Sequence, residues 1–164
     1  MRTTILILAA LACEGARASD EAIPREGTNS ATTMGNVTMK ALPLGPGRVQ
    51  LTWEFLGVTT TDDGKGVTHN ASVRCFGAAQ GLRDAYLSYE NGCVLTRPDG
   101  DQIYIIETAA KTPSGTKGTS TFVGGTGKMA GITGTSEWVR YWVRPAVDGT
   151  IQTVTRSKIS YKLP

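Results

Sequence analysis

Three carboxylates carry most of the chemistry this sequence offers. Glu54, Glu107 and Glu137 each stand in a stretch where apolar and polar residues alternate. On an inward strand face such a group loses water, and its pKa rises toward the range useful for taking or giving a proton. Glu107 follows Ile103 and Ile105 at a spacing of two, so it shares their face and is the first candidate acid–base. Glu137 shares a face with Val139 and Tyr141 and comes second. The structural alternative for each is a solvated glutamate, or one paired with Arg74, Arg140 or Arg156.

Aromatic residues stand near these acids. Tyr104 and Tyr141 can donate to a ligand oxygen or pack as cavity wall. Trp53 shares a face with Val49, Leu51 and Phe55 and adds aromatic surface. Trp138, Arg140, Trp142 and Arg144 alternate along one strand face. That pattern suits a stacking groove for sugars or aromatic rings, a cation–π ladder, or a subunit interface.

Several chemistries are excluded. His69 is the single histidine, so a multi-histidine metal site within one chain is ruled out, and no metal is expected. Asp99 and Asp101 flank Gly100 and read as a turn, without the further oxygen ligands that calcium needs. No G-x-S-x-G segment is present, so a serine triad has no motif support. The run Gly124-Gly125-Thr126-Gly127-Lys128-Met129-Ala130-Gly131 departs from a Walker loop, because Met129 stands where Ser or Thr is needed. A β-patterned run follows it rather than a helix, which also argues against a dinucleotide fingerprint. Gly124, Gly125, Gly127 and Gly131 are therefore read as structural, allowing positive φ and close backbone approach. The net charge of +3, with dispersed Lys and Arg, is too mild to suggest nucleic acid or a membrane surface.

The elements that must position these residues are strands. A chain of 164 residues, 40% hydrophobic and 19% charged, is one ordinary globular domain. Its 20 glycines exceed the average share of about 7% and mark many turns. Period-two segments are predicted at residues 49–61, 71–77, 86–89, 93–96, 102–110, 119–123, 135–144 and 150–161, with Asn91-Gly92 as a hairpin turn. Regular short strands without an amphipathic helix imply a sandwich or an up-and-down barrel.

The N-terminus reads as a targeting segment. Arg2, the apolar run Ile5–Ala12 and Ala16-Arg17-Ala18 match a signal peptide over residues 1–18, and the run is far short of the roughly 20 residues a membrane span needs. Lipid attachment at Cys13 is the weaker alternative, because Ala10 stands where a lipoprotein signal usually has leucine. Residues 19–34 are expected to be a flexible leader, and 35–164 one β domain. No other segment could span a membrane. A secreted or periplasmic chain meets an oxidising compartment, so Cys75 and Cys93 most simply form one disulfide; a reactive thiol pair is the alternative.

The segment Phe122–Gly131 resembles the GGTGK segment of dirigent proteins and the corresponding glycine segment of plant allene oxide cyclases. Small exported bacterial proteins look closer still, sharing a cysteine before the middle hairpin, a second near an Asp-Gly-Asp turn, and GGTGK-x-AG. The resemblance implies an eight-stranded antiparallel β-barrel, often trimeric, with an apolar cavity. It also implies steering of a cyclisation or radical coupling without a cofactor. Catalytic residues of those families find no match outside the glycine segment, so none is carried over. The resulting expectation is an exported barrel for a small hydrophobic or aromatic molecule, a cofactor-free cyclase, isomerase or lyase. The alternative is a carrier or envelope interaction protein, and a homo-oligomer, dimer or trimer, fits either reading.

Overall fold

The computed structural model describes residues 23–164. The expected signal peptide, Cys13 and the first residues of the leader lie outside the described residues. Eight strands follow in order: β1 Glu26–Gly45, β2 Arg48–Thr61, β3 Ala71–Gly81, β4 Tyr86–Thr96, β5 Gln102–Thr112, β6 Gly115–Gly125, β7 Thr133–Val143 and β8 Ile151–Lys162. Each pairs antiparallel with the next, and β8 returns to β1 to close the barrel. Closure leaves no unpaired edge, which suits a sheet with apolar residues on both faces.

The number of strands agrees with expectation, but two of the assignments do not. The leader was expected to run to residue 34; instead Glu26–Met34 is the first half of β1, paired with β8 from Glu26↔Lys162 onward. Its inward positions include Ala31, Thr33 and Gly35, which pattern cannot separate from a polar loop. They are small because β1 faces larger residues; a Cβ at Gly35 would stand 2.7 Å from the Phe55 ring. Residues 86–89 and 93–96, expected as two strands about a turn, form the single strand β4. The turn lies at residues 82–85, where Leu82 N–H donates to Ala85 O at 2.8 Å. Asn91 is buried, and its amide finds partners inside the barrel.

Register sets the interior. Phe55, Cys75, Cys93, Ile105 and Phe122 are successive cross-strand partners from β2 to β6, all buried. Each such apolar side chain contributes roughly 1.5–3 kcal/mol by burial. Cys75 and Cys93 stand directly opposite and form the expected disulfide. At a sequence separation of 18, it constrains the unfolded chain by about 3 kcal/mol. The Cys75→Ala/Cys93→Ala double variant should lose about that much in urea denaturation. An unchanged midpoint would mean that the unfolded chain already keeps the two positions close without the bond.

One end of the barrel is plugged. Val67, Met129 and Ile132 are fully buried there. Arg97 Nη1 donates to Val67 O at 2.6 Å and holds the loop after β2 in place. The glycine cluster ends β6 and feeds a single 3-10 turn, Gly127–Met129, which delivers Met129 into the plug. Gly124, Gly127 and Gly131 have positive φ, as expected, whereas Gly125 does not. Gly125 is required by close approach instead: a Cβ there would meet Gln102 O, and Met129 O at 2.6 Å. The cluster also explains the Asp-Gly-Asp turn, because Asp101 Oδ2 accepts the Lys128 N–H at 2.8 Å. Among the described residues no helix is long and apolar enough to cross a membrane.

Candidate functional site in the barrel lumen

The alternation of β5 turns Ile103, Ile105 and Glu107 inward, and that of β7 turns Ser136, Trp138 and Arg140 inward. Across the lumen Arg140 Nη2 lies 3.6 Å from Glu107 Oε2, with only 13% and 11% of the two side chains exposed. The carboxylate accepts from Asn91 Nδ2 at 2.7 Å and from Ser120 Oγ at 3.2 Å. Asn91 Oδ1 in turn accepts from Trp53 Nε1 at 3.1 Å. A buried carboxylate is tolerable because each of these donors meets it.

Arg140 is held on its other side by aromatic faces. Its guanidinium carbon is 4.8 Å from the Trp138 ring centre and 5.8 Å from that of Phe55. Its Nε donates to Thr155 Oγ1 at 3.0 Å. Glycines on neighbouring strands make room for the large rings: a Cβ at Gly77 would overlap Trp53, and one at Gly118 would overlap Trp138. Tyr89 stacks 5.2 Å from Trp53. Burial pushes the Tyr89 phenol well above its ordinary pKa; Arg140 opposes the rise and Glu107 adds to it. The Tyr89 hydroxyl lies near Arg140 but makes no hydrogen bond of full geometry, and Trp138 Nε1 is also buried without an acceptor.

Two small cavities flank this cluster, of about 60 Å³ and 30 Å³. Phe55 and Arg140 line both. The first extends toward the plug past Glu107, Ser120 and Trp138. The second opens toward the unplugged end past Tyr86, Tyr89, Trp53 and Trp142. A larger concavity lies elsewhere, an open groove of about 780 Å³ on the outer surface of β5–β8 and β1. Exposed Lys117, Glu137, Arg156 and Lys158 edge that groove, so its charges remain solvated. Desolvated polar groups, which are the costly feature, occur in the lumen.

The structure thus gathers Glu107, Trp53, Trp138 and Arg140, with Trp142 on the same face at the mouth, 45% exposed. It separates the others from them. Glu137 is exposed on the outer face, so the expectation of a second inward carboxylate is corrected: its odd position on β7 is opposite in face to Trp138. Tyr104 lies on the outer face of β5, its hydroxyl donating to Gln102 Oε1 at 3.1 Å. Tyr141 is also outward, 39% exposed. Glu54 pairs with Arg74 at 2.8 Å on the outer surface. The Trp/Arg alternation is realised as a cation–π contact inside the lumen. His69 serves structure, its Nδ1 accepting from Thr61 N–H at 3.3 Å. Among the described residues no cluster of His, Cys, Asp or Glu could hold a metal ion.

Asn91, Ser120 and Tyr89 escaped sequence reasoning. Asn91 looked like a turn residue because Gly92 follows it. The available signal was its period-two relation to Cys93 and Leu95.

No family model matches the chain, and none of the curated proteins matches it. Among solved structures it is similar to that of a pterocarpan synthase dirigent protein, with a TM-score of 0.51 and 10% identity. The match covers 85% of this chain and 93% of that one. At that identity the likeness is one of fold: an eight-stranded, dirigent-like barrel.

Proposed function

We propose that this chain is an exported small-molecule-binding barrel whose hydrophobic or phenolic ligand sits in the lumen against Arg140 and Glu107. The observation that carries the reading is a desolvated Glu–Arg pair walled by Trp53, Phe55, Tyr89 and Trp138 inside a closed barrel. Such a pair is costly to bury, and the same volume filled with apolar residues is often as stable or more so, which favours a use for it. Similarity to a dirigent fold supports the same class of ligand by analogy. Each cavity alone holds about one or two waters. An aromatic ligand must therefore enter past Trp142 and move Arg140, joining the two spaces. Glu107 is the group able to take a proton from it, and the reaction is a cyclisation, isomerisation or cleavage requiring no cofactor.

Native mass spectrometry of protein from its own source tests this. One small molecule per chain is expected, and added phenol should quench tryptophan emission saturably. A bare chain mass, with no quenching by any phenol, would overturn the reading. A second reading, a non-catalytic interaction protein, draws on one feature: Leu56, Val58, Phe76 and Ile106 are more than half exposed on the outer face. Unimpaired partner capture by a variant with a disabled lumen would favour it.

A further inference from the structure

The donors around Arg140 outnumber their acceptors. A guanidinium carries five N–H groups. Its Nε serves Thr155, while Nη2 stands 3.6 Å from the carboxylate, beyond good hydrogen-bond length. That carboxylate is already occupied by Asn91 and Ser120. Tyr89 Oη and Trp138 Nε1 are buried donors without acceptors, one in the wall of each cavity that Arg140 shares. Burial keeps the Tyr89 phenol protonated and therefore able to donate. The missing complement is an acceptor.

Charge decides which acceptor. Arg140 and Glu107 already cancel, so an incoming anion would leave one net negative charge in the lumen, and a cation one positive charge. A neutral carbonyl oxygen satisfies the donors without that cost. We infer that the lumen takes a small aromatic carbonyl compound, its oxygen on Arg140 and Tyr89 and its α-carbon facing Glu107, and exchanges the α-proton. This rests on the ligand-binding reading above and narrows it to an enolisable carbonyl.

The spacing fits the chemistry. Arg140 and Glu107 face each other across the lumen, 3.6 Å apart before a ligand displaces the guanidinium, so a carbonyl drawn in beside them meets the donor at its oxygen and the base at its neighbouring carbon. Glu107 takes the α-proton, the C–H pair forms the C=C bond of the enolate, and the carbonyl π pair moves onto oxygen. Arg140 and Tyr89 stabilise that oxyanion as it develops. Return of the proton from Glu107 to a conjugated carbon completes an isomerisation, and return to the same carbon after Glu107 has traded its proton with water completes an exchange, with no oxidant or reductant in either case.

Acetophenone in D₂O provides the test. Binding should be seen as quenching of tryptophan emission, weaker by at least about tenfold for ethylbenzene and for benzoate. Exchange of the methyl protons for deuterium, followed by ¹H NMR, should exceed the buffer rate. Glu107→Gln should remove the excess, assayed below its own melting temperature. Tyr89→Phe removes a hydroxyl whose proton has no acceptor in the free protein, so it should melt close to wild type while slowing exchange about tenfold. Binding of ethylbenzene as tight as that of acetophenone, or full exchange in both variants, would overturn the inference and leave the ligand-binding reading intact. Failure of every aromatic compound to bind would remove both.

Discussion

Replacing Glu107 with leucine should cost the fold about 3–5 kcal/mol, and adding Arg140→Met should restore most of it. The first change leaves a guanidinium buried at 13% exposure with no carboxylate facing it. Removing one partner of a buried pair costs about that much, because the other charge stays desolvated. Removing both replaces the pair with apolar volume beside Phe55 and Trp138 and recovers most of the loss, the remainder being the Asn91 and Ser120 donors left without the carboxylate. Urea midpoints of wild type, both single variants and the double variant form the cycle, and coupling of at least about 2 kcal/mol is expected. Additive losses would mean that Arg140 does not depend on Glu107, and the lumen would lose its central feature. Because stability is at stake, activity of any Glu107 variant must be compared at a temperature where it is folded.

Gly127→Val should be the most damaging single change in the glycine cluster, at about 3 kcal/mol or more. Two costs combine. Gly127 has φ +52°, which β-branched residues resist. Its Cβ would also overlap the Asp101 carboxylate, the group that accepts the Lys128 N–H and anchors the 3-10 turn. The two can be separated. Gly127→Ala in an Asp101→Ala background removes the overlap and leaves a left-handed alanine, worth about 1–2 kcal/mol, beyond the loss already caused by Asp101→Ala. Met129 should lose its place in the plug only where the turn itself fails. A wild-type melting temperature for Gly127→Val would show that the turn is not conformationally required, and the motif would need another explanation.

Much of the fold was legible because a strand writes its faces into sequence with period two. Val49, Leu51, Trp53 and Phe55 share one face, as do Ile103, Ile105 and Glu107, and both sets point inward as their alternation implies. Two cysteines beyond the expected signal peptide were enough to expect the disulfide, and the glycine run marked where β6 must turn. Yet the expected total of eight strands came from two errors that offset each other. The first half of β1 escapes the period-two pattern because its inward Ala31, Thr33 and Gly35 are small, with no room for a side chain at Gly35 against Phe55. β4 was counted twice because Asn-Gly favours turns locally, a preference overridden by the hydrogen bonds Asn91 makes with Trp53 and Glu107.

The candidate site shows the same division. Local pattern identified Glu107 and Glu137 as strand carboxylates, but period two defines two faces without saying which is inside. Closure of the barrel decided that, turning Glu107 toward the lumen and Glu137 toward water. Sequence alone offers Glu107 three arginine partners, Arg74, Arg140 and Arg156, without choosing among them. The pairing with Arg140 exists because register aligns Glu107 with Ser120 and Arg140 with Thr116 and Thr155, so that side chains on β5 and β7 meet across the interior. Residue type and spacing along the chain determined what each strand could present; only the closed geometry, which brings distant strands within a few ångströms and excludes water between them, determined which groups act on one another.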